Sequence, residues 1–332
     1  MPEDGQDVGP LADSWLLDRR PTAWLLLSGN RLVVSAGLLA LAGVLFWGVV
    51  LAGLAPLTER TPVLFIIFAL IGGNFTLITI VVSISQFILA RHLQSPGEIR
   101  EQLEEIIGYR RAVGEVTRQN VLPVTPKGFV LLLFRSIERD SERLRAADWG
   151  DADGELQAEV EGTVTELDAH AGHVIDLLDG REGSVRNALF ATLNANYSLF
   201  FYDAYRLRTD HGEDLPAEVV DALSRLEQHV EQVDIARRYF KSVFIQSELS
   251  ALTRLLLYAG SPIQVVLVAL MLVYTAPPDT FALDPVLPVL VPLLVTLGFA
   301  PFAFLTAYIL RLSTVVHRST VMYPFTGEQS ES

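Results

Sequence analysis

The chain has 332 residues, half of them hydrophobic, with a mean hydropathy of +0.36, more apolar than a water-soluble domain of this length usually is. It carries a formal charge of −14 and only two lysines, Lys127 and Lys241, which excludes the basic footprint that nucleic-acid binding needs. The absence of cysteine excludes disulfides, thiolate metal sites and cysteine nucleophiles.

The apolar excess falls in four blocks. Residues 1–9 are acidic and contain Gly and Pro, a composition that does not favour fixed structure. Residues 13–27 set Trp15 and Trp24 beside Arg19 and Arg20, a mixture suited to the headgroup region of a bilayer. Residues 1–31 are therefore predicted to be a cytosolic or interfacial N-terminal segment. The first apolar run, 32–56, is too long for a signal-peptide core and lacks a cleavage pattern, so it reads as a permanent anchor. Its Ala36 and Ala40, and its Gly48 and Ala52, are small residues four apart that let another helix approach closely. The link at Thr58, Glu59 and Arg60 is short, so this span and the next, 62–90, form an antiparallel hairpin.

Residues 61–90 contain no charged side chain and are long enough to cross a bilayer as a tilted helix. Ala69, Gly72, Thr76, Thr79, Ser83, Gln86 and Ala90 recur at alternating spacings of three and four, which places them on one helical face. The remaining faces carry Phe, Ile, Leu and Val. A membrane helix with such a seam turns it away from lipid, toward another helix or toward water.

Ser95, Pro96 and Glu98 spell a capping box that starts a helix near Pro96. Its apolar face comprises Ile99, Leu103, Ile106, Ile107, Val113 and Val116, and Pro123 ends it. Thr125 and Pro126 cap a further helix whose apolar run is too short to span a bilayer. The acidic stretch 148–155 lacks the twelve-residue spacing of an EF-hand and reads as a solvated loop rather than a calcium site. A helix over 155–178 follows by period, with Gly180 as its C-cap. Residues 184–208 form an aromatic helix whose Phe190, Tyr197, Phe200, Phe201 and Tyr205 read as core. From Pro216 onward no strong breaker occurs before Gly260, so this helix is expected to run directly into a third span. That span, 255–277, carries Gly260 and Pro262 near its start, the signature of a kink. A short link precedes the fourth span, 285–310, which Pro288, Pro292 and Pro301 are expected to bend.

Basic residues near the span ends, among them Arg31, Arg91, Arg254 and Arg311, lie on one side, whereas the two short links offer Arg60 alone. The positive-inside rule then places both termini and the middle region in the cytoplasm of a multi-pass cell-membrane protein. The predicted fold class is all-α, polytopic, with four transmembrane helices. The predicted domains are the N-terminal segment 1–31, a hairpin 32–92, a helical cytosolic domain 93–254, a hairpin 255–311 and a polar tail 312–332.

Candidate chemistry is sparse. His170 and His173 lie three apart with Asp176 three further on, a set that could contribute to a zinc site. The helical zinc signature spaces its histidines four apart around a glutamate, and no fourth ligand is identifiable, so the set reads as a solvated helix face and no metal or cofactor is expected. No phosphate loop or nucleophile elbow occurs, and the protein is not expected to be an enzyme. The spans lack Asp, Glu, Lys, Arg and His, which disfavours a proton relay but leaves open a passive pore lined by hydroxyls and amides. Gly72, Asn74, Thr76, Thr79, Ser83 and Gln86 are the candidate pore or helix-packing seam. Four spans leave little room for a water-filled path, so a pore requires a homo-oligomer.

A hairpin of spans, a long helical region and a second hairpin form an order that resembles bestrophin-type anion channels. The likeness is one of topology, and it carries over no residue role. Over its length the chain also resembles membrane proteins of unknown function from salt-adapted prokaryotes, consistent with its acidic, lysine-poor composition. The leading functional expectation is an oligomeric channel-like or passive transport protein with the second span near its axis. The alternative is a non-catalytic membrane scaffold or sensor whose helical bundle binds a partner. The bilayer is the expected environment in both.

Overall fold

A computed structural model describes residues 29–54, 60–90, 95–149, 153–179, 185–192, 197–276 and 286–320. Residues 1–28 of the N-terminal interfacial segment, residues 55–59 and 277–285 of the two short links, the tip of the acidic stretch, Gly180 and the polar tail from 321 lie outside the described residues. Within these bounds all regular structure is helical: α1 (Arg31–Leu51), α2 (Arg60–Ala90), α3 (Pro96–Thr117), α4 (Pro126–Arg145), α5 (Gly154–Leu178), α6 (Val185–Thr192), α7 (Tyr197–His211), α8 (Ala217–Leu255), a π turn (Leu256–Gly260), α9 (Ser261–Thr275), α10 (Leu287–Gly298) and α11 (Ala300–Thr320). Four helical stretches are long and apolar enough to cross a membrane: Arg31–Leu51, Arg60–Ile88, Ala217–Thr275 and Val289–Val316. The chain divides into two compact units, Met1–Leu93 with Ser247–Thr314, and Gln94–Gln246 with Val315–Ser332.

In the first unit α2 packs on α9 and α10, and α1 packs on α10. Val63 and Ile67 of α2 meet Ile263, Leu267 and Leu270 of α9 and Val291 and Val295 of α10 in one buried cluster. The outer surface is equally apolar, with Phe65, Phe68 and Phe75 of α2 and Val44 and Leu45 of α1 exposed. The helix ends are tied by arginines. Arg60 donates to the Ala276 carbonyl at 3.0 Å, joining the start of α2 to the end of α9. At the start of α1, Arg31 donates to the Ala307 carbonyl at 3.1 Å. Buried Arg311 reaches Glu248 at 3.0 Å and also donates to the Gly29 carbonyl.

Two irregularities follow from proline chemistry. Pro262 has no N–H to offer the preceding turn. Just before it the ladder widens to the π turn, where Ser261 N–H reaches back to the Leu256 carbonyl. The expected kink at Gly260 and Pro262 is thus an i to i−5 turn inside a helical run from Ala217 to Thr275. Pro301 clashes with the carbonyl four residues before it, and the fourth apolar stretch breaks at Phe299 between α10 and α11. Gly298 at this break allows close approach to α2, since a Cβ there would lie 2.9 Å from Leu70 Cδ1.

In the second unit α4 packs on α5, with α6 against both and α7 against α5. Leu133, Phe134, Ile137 and Leu144 of α4 and Val160, Ala171, Val174 and Leu178 of α5 are fully buried. The capping box at Ser95 forms as its sequence predicts, with Ser95 Oγ accepting from Glu98 N–H and Glu98 accepting from Ser95 N–H. α3 ends six residues before Pro123. Arg118 enters the left-handed region at φ 57° and lets Gln119 N–H close on the Gly114 carbonyl at 2.9 Å. The expected single helix over 184–208 is described as two, α6 and α7, with residues 193–196 outside the described set.

Candidate functional site

α2 runs unbroken over 31 mostly apolar positions, with no proline beyond its first turn. Its seam is on the surface of the chain. Gly72, Thr76, Thr79, Ser83 and Gln86 are all exposed, as are Ala69 and Ala90. Thr76 Oγ donates to the Gly72 carbonyl at 3.0 Å, a bond back to the preceding turn that satisfies the hydroxyl within its own helix.

Asn74 does not share that face. At 100° per residue it lies on the far side of α2, where it is 5% exposed and donates from Nδ2 to the Gly298 carbonyl at 2.8 Å. The six candidate residues therefore separate into five on an open face and one inside the bundle. Asn74 supplies the donor for a carbonyl at the break between α10 and α11. Gln264 of α9 makes a similar cross-helix bond, donating to the Ile71 carbonyl at 2.8 Å. Ser85, on the same side of α2 as Asn74, pairs with Thr253.

Beside the seam runs an apolar groove of about 520 Å³. Its floor is Gly72, Gly73 and Thr76, and its walls are Ile80 and Ile84 of α2, Leu252 of α8, and Phe302 and Leu305 of α11. A Cβ added at Gly72 or Gly73 would meet nothing within 4 Å, so both positions face open space. Seam and groove form one continuous outer surface of α2, polar on one flank and apolar on the other.

The histidine pair is divided. His173 and Asp176 are exposed, whereas His170 turns inward from α5, so the expectation of a solvated face fails for it. Its Nε2 lies 2.9 Å from Tyr197 Oη, and the rings of Phe134 and Phe200 flank it. Burial, reinforced by His173, pushes the His170 imidazole down to about 4, which favours the neutral ring. Among the described residues no group of three His, Asp or Glu is placed to hold a metal ion.

A second buried polar group joins α4 to α8. Asp140, 3% exposed, accepts from Arg143 at 2.8 Å and lies 2.9 Å from Nε2 of fully buried His229, with Arg225 at 3.5 Å. Burial works to raise the Asp140 carboxyl, but His229, Arg143 and Arg225 outweigh it and hold the group below its ordinary range. The signal was present in the sequence. Asp140 falls three after Ile137 and four before Leu144, on the buried line of α4, and His229 falls three after Leu226 and four before Val233 on that of α8. A charged residue in register with a core line marks an internal partner.

A family model matches residues 13–332. The chain belongs to DUF7972, a family of unknown function. The match spans all four apolar stretches and the helices between them. No curated protein and no solved structure matches the chain.

Proposed function

We propose that the chain is a multi-pass cell-membrane protein with both termini cytoplasmic, and that its copies assemble with α2 near a common axis to give a passive, channel-like path. The observation that carries this reading is the exposure of Thr76, Thr79, Ser83 and Gln86 along one line of an otherwise apolar helix. Hydrocarbon offers an amide or hydroxyl no hydrogen bond, and an unsatisfied group costs about 2–7 kcal/mol. The seam therefore turns from lipid toward further copies of α2, or toward water between them. Membrane insertion is supported by the first unit itself, which is apolar outside as well as inside. Orientation is supported by Arg31, Arg254 and Arg311 at the proposed inner ends of the helices. The acidic, lysine-poor composition suits a salt-adapted cell, and the bestrophin-like order of segments supports a channel layout. The activity is non-catalytic and needs no cofactor.

A second reading, a membrane scaffold or sensor whose second unit binds a partner, is favoured by one observation. The Thr76 hydroxyl is already satisfied inside α2, as it would be in a dry packed interface. Single cysteines decide between the two, since the chain has none of its own. In the channel reading, Thr76→Cys, Thr79→Cys, Ser83→Cys and Gln86→Cys react with membrane-impermeant polar thiol reagents applied to inside-out vesicles, and purified protein gives ion flux in liposomes. Protected thiols at all four positions, together with no flux, would overturn the channel and leave the scaffold.

A further inference from the structure

α3 carries an apolar stripe that nothing in its own unit covers. Every residue from 95 to 108 is exposed, including Ile99 at 54% and Leu103 at 55%. Docking begins only at Tyr109, whose hydroxyl donates to the Gln232 carbonyl at 2.7 Å, and at Arg110, which donates to the Leu122 and Pro123 carbonyls. Val113 beyond them is fully buried. The first half of α3 thus projects as more than three turns of unsupported helix. A helix of roughly this length is marginal in water unless it packs on something.

The positions of its charges indicate what that is. Ile99, Leu103 and Ile106 are spaced four and three apart, the d, a and d positions of a heptad. The flanking e and g positions are Arg100, Gln102, Ile107 and Tyr109, and none is acidic. All the carboxylates of this segment, Glu98, Glu101, Glu104 and Glu105, fall at the outer b, c and f positions. Arg100 is held by Glu104 of its own helix at 2.7 Å. A bilayer surface is the wrong occupant, because interfacial helices set Lys and Arg around the apolar face and anionic headgroups repel carboxylates. An identical helix is the right one, because two copies side by side bring apolar seams together and keep every carboxylate outside.

We infer that the exposed stripe Ile99, Leu103 and Ile106 pairs with the same stripe of a second copy of this chain, in parallel coiled-coil register. Leu103 at the a position with Ile99 and Ile106 at d suits more than two strands. Copies related by an axis along the membrane normal run parallel and in register, and their membrane anchors hold short helices at high local concentration. This rests on the oligomeric part of the proposed function and not on a conducting path.

The test uses the full chain in membranes, with Leu103→Cys and Ile106→Cys compared with Glu101→Cys and Glu105→Cys under mild oxidation. The expected result is a covalent dimer, at twice the 36.6 kDa of the subunit, several-fold more abundant from the two seam positions than from the two outer ones. Equal yields from all four, or no dimer from the seam positions, would overturn the pairing. Quenching of a fluorophore on the Leu103→Cys thiol by brominated lipid would likewise overturn it and assign the stripe to the bilayer. Cross-linking at α3 with an inaccessible α2 seam would sink the channel while leaving this contact in place.

Discussion

Asn74 shows how one side chain can be misassigned by chemistry alone. Its amide suits a pore lining, yet its position on the helical wheel places it opposite the seam, where it donates a hydrogen bond to the Gly298 carbonyl. Asn74→Leu keeps the volume and removes the donor, stranding a buried carbonyl. The expected loss is about 1–2 kcal/mol, read as a lower midpoint in thermal unfolding of the solubilised protein, while Asn74→Gln loses less. The buried groups of the second unit make it sensitive to acid in two steps. His170 has a depressed folded value of about 4 against about 6.5 unfolded. The unfolded chain therefore binds the proton first, and stability falls as pH drops from about 6.5 to 4. The loss is about 2 kcal/mol once screening at its exposed edge is allowed for. Circular dichroism of denaturant unfolding at pH 7 and pH 4.5 should show this slope, and His170→Gln should flatten it. Asp140, also held low, keeps its contribution above the ordinary carboxylate value and loses it as pH falls through its folded one. Asp140→Asn should be less stable at neutral pH and show less further loss in acid. Asp140 and His229 were not read from the sequence, although their register with Leu144 and Leu226 marks both as inward-facing. The His170 contact with Tyr197 was not legible, because a half-buried residue on α5 carries no periodic mark of its partner on α7.

At the scale of elements, local chemistry was readable wherever it decides the outcome by itself. Ser95 with Glu98, and Thr125 with Pro126, announce caps that form as written, because a cap involves only residues three apart. Pro301 announces a bend, but its place at Phe299 depends on Gly298 lying against Leu70, a packing fact that no local pattern contains. α3 stops at Thr117 and not at Pro123 because Arg118 in the left-handed region closes the helix first. Gly298→Val tests the close approach. Its branched side chain would meet both Leu70 and Leu267, at a cost of about 1–3 kcal/mol, measurable as reduced thermal stability, whereas Gly37→Val meets open space and should change little.

At the scale of the molecule, the four apolar stretches were plain from composition, since long uncharged runs have few alternatives to a bilayer. Which side of each stretch faces inward was not, because outer and buried positions are equally apolar. That symmetry explains why the seam of α2 was legible as a face while its neighbour in space was not. In the proposed topology a reporter inserted after Trp149 should be cytoplasmic, shielded from protease added to intact cells, and the protein should stay with the pellet through carbonate washing. Digestion of the reporter from outside, or release by carbonate, would contradict membrane insertion with this orientation.

The bond between Asn74 and Gly298 has a mechanical meaning. A carbonyl surrounded by hydrocarbon gives up its donor only when another replaces it, so the bend at Phe299 cannot open or tighten without pulling on α2. The residues that line the open side of α2 stand across the same cylinder from that latch. Flexing of the broken helix would roll them like the far rim of a turning key.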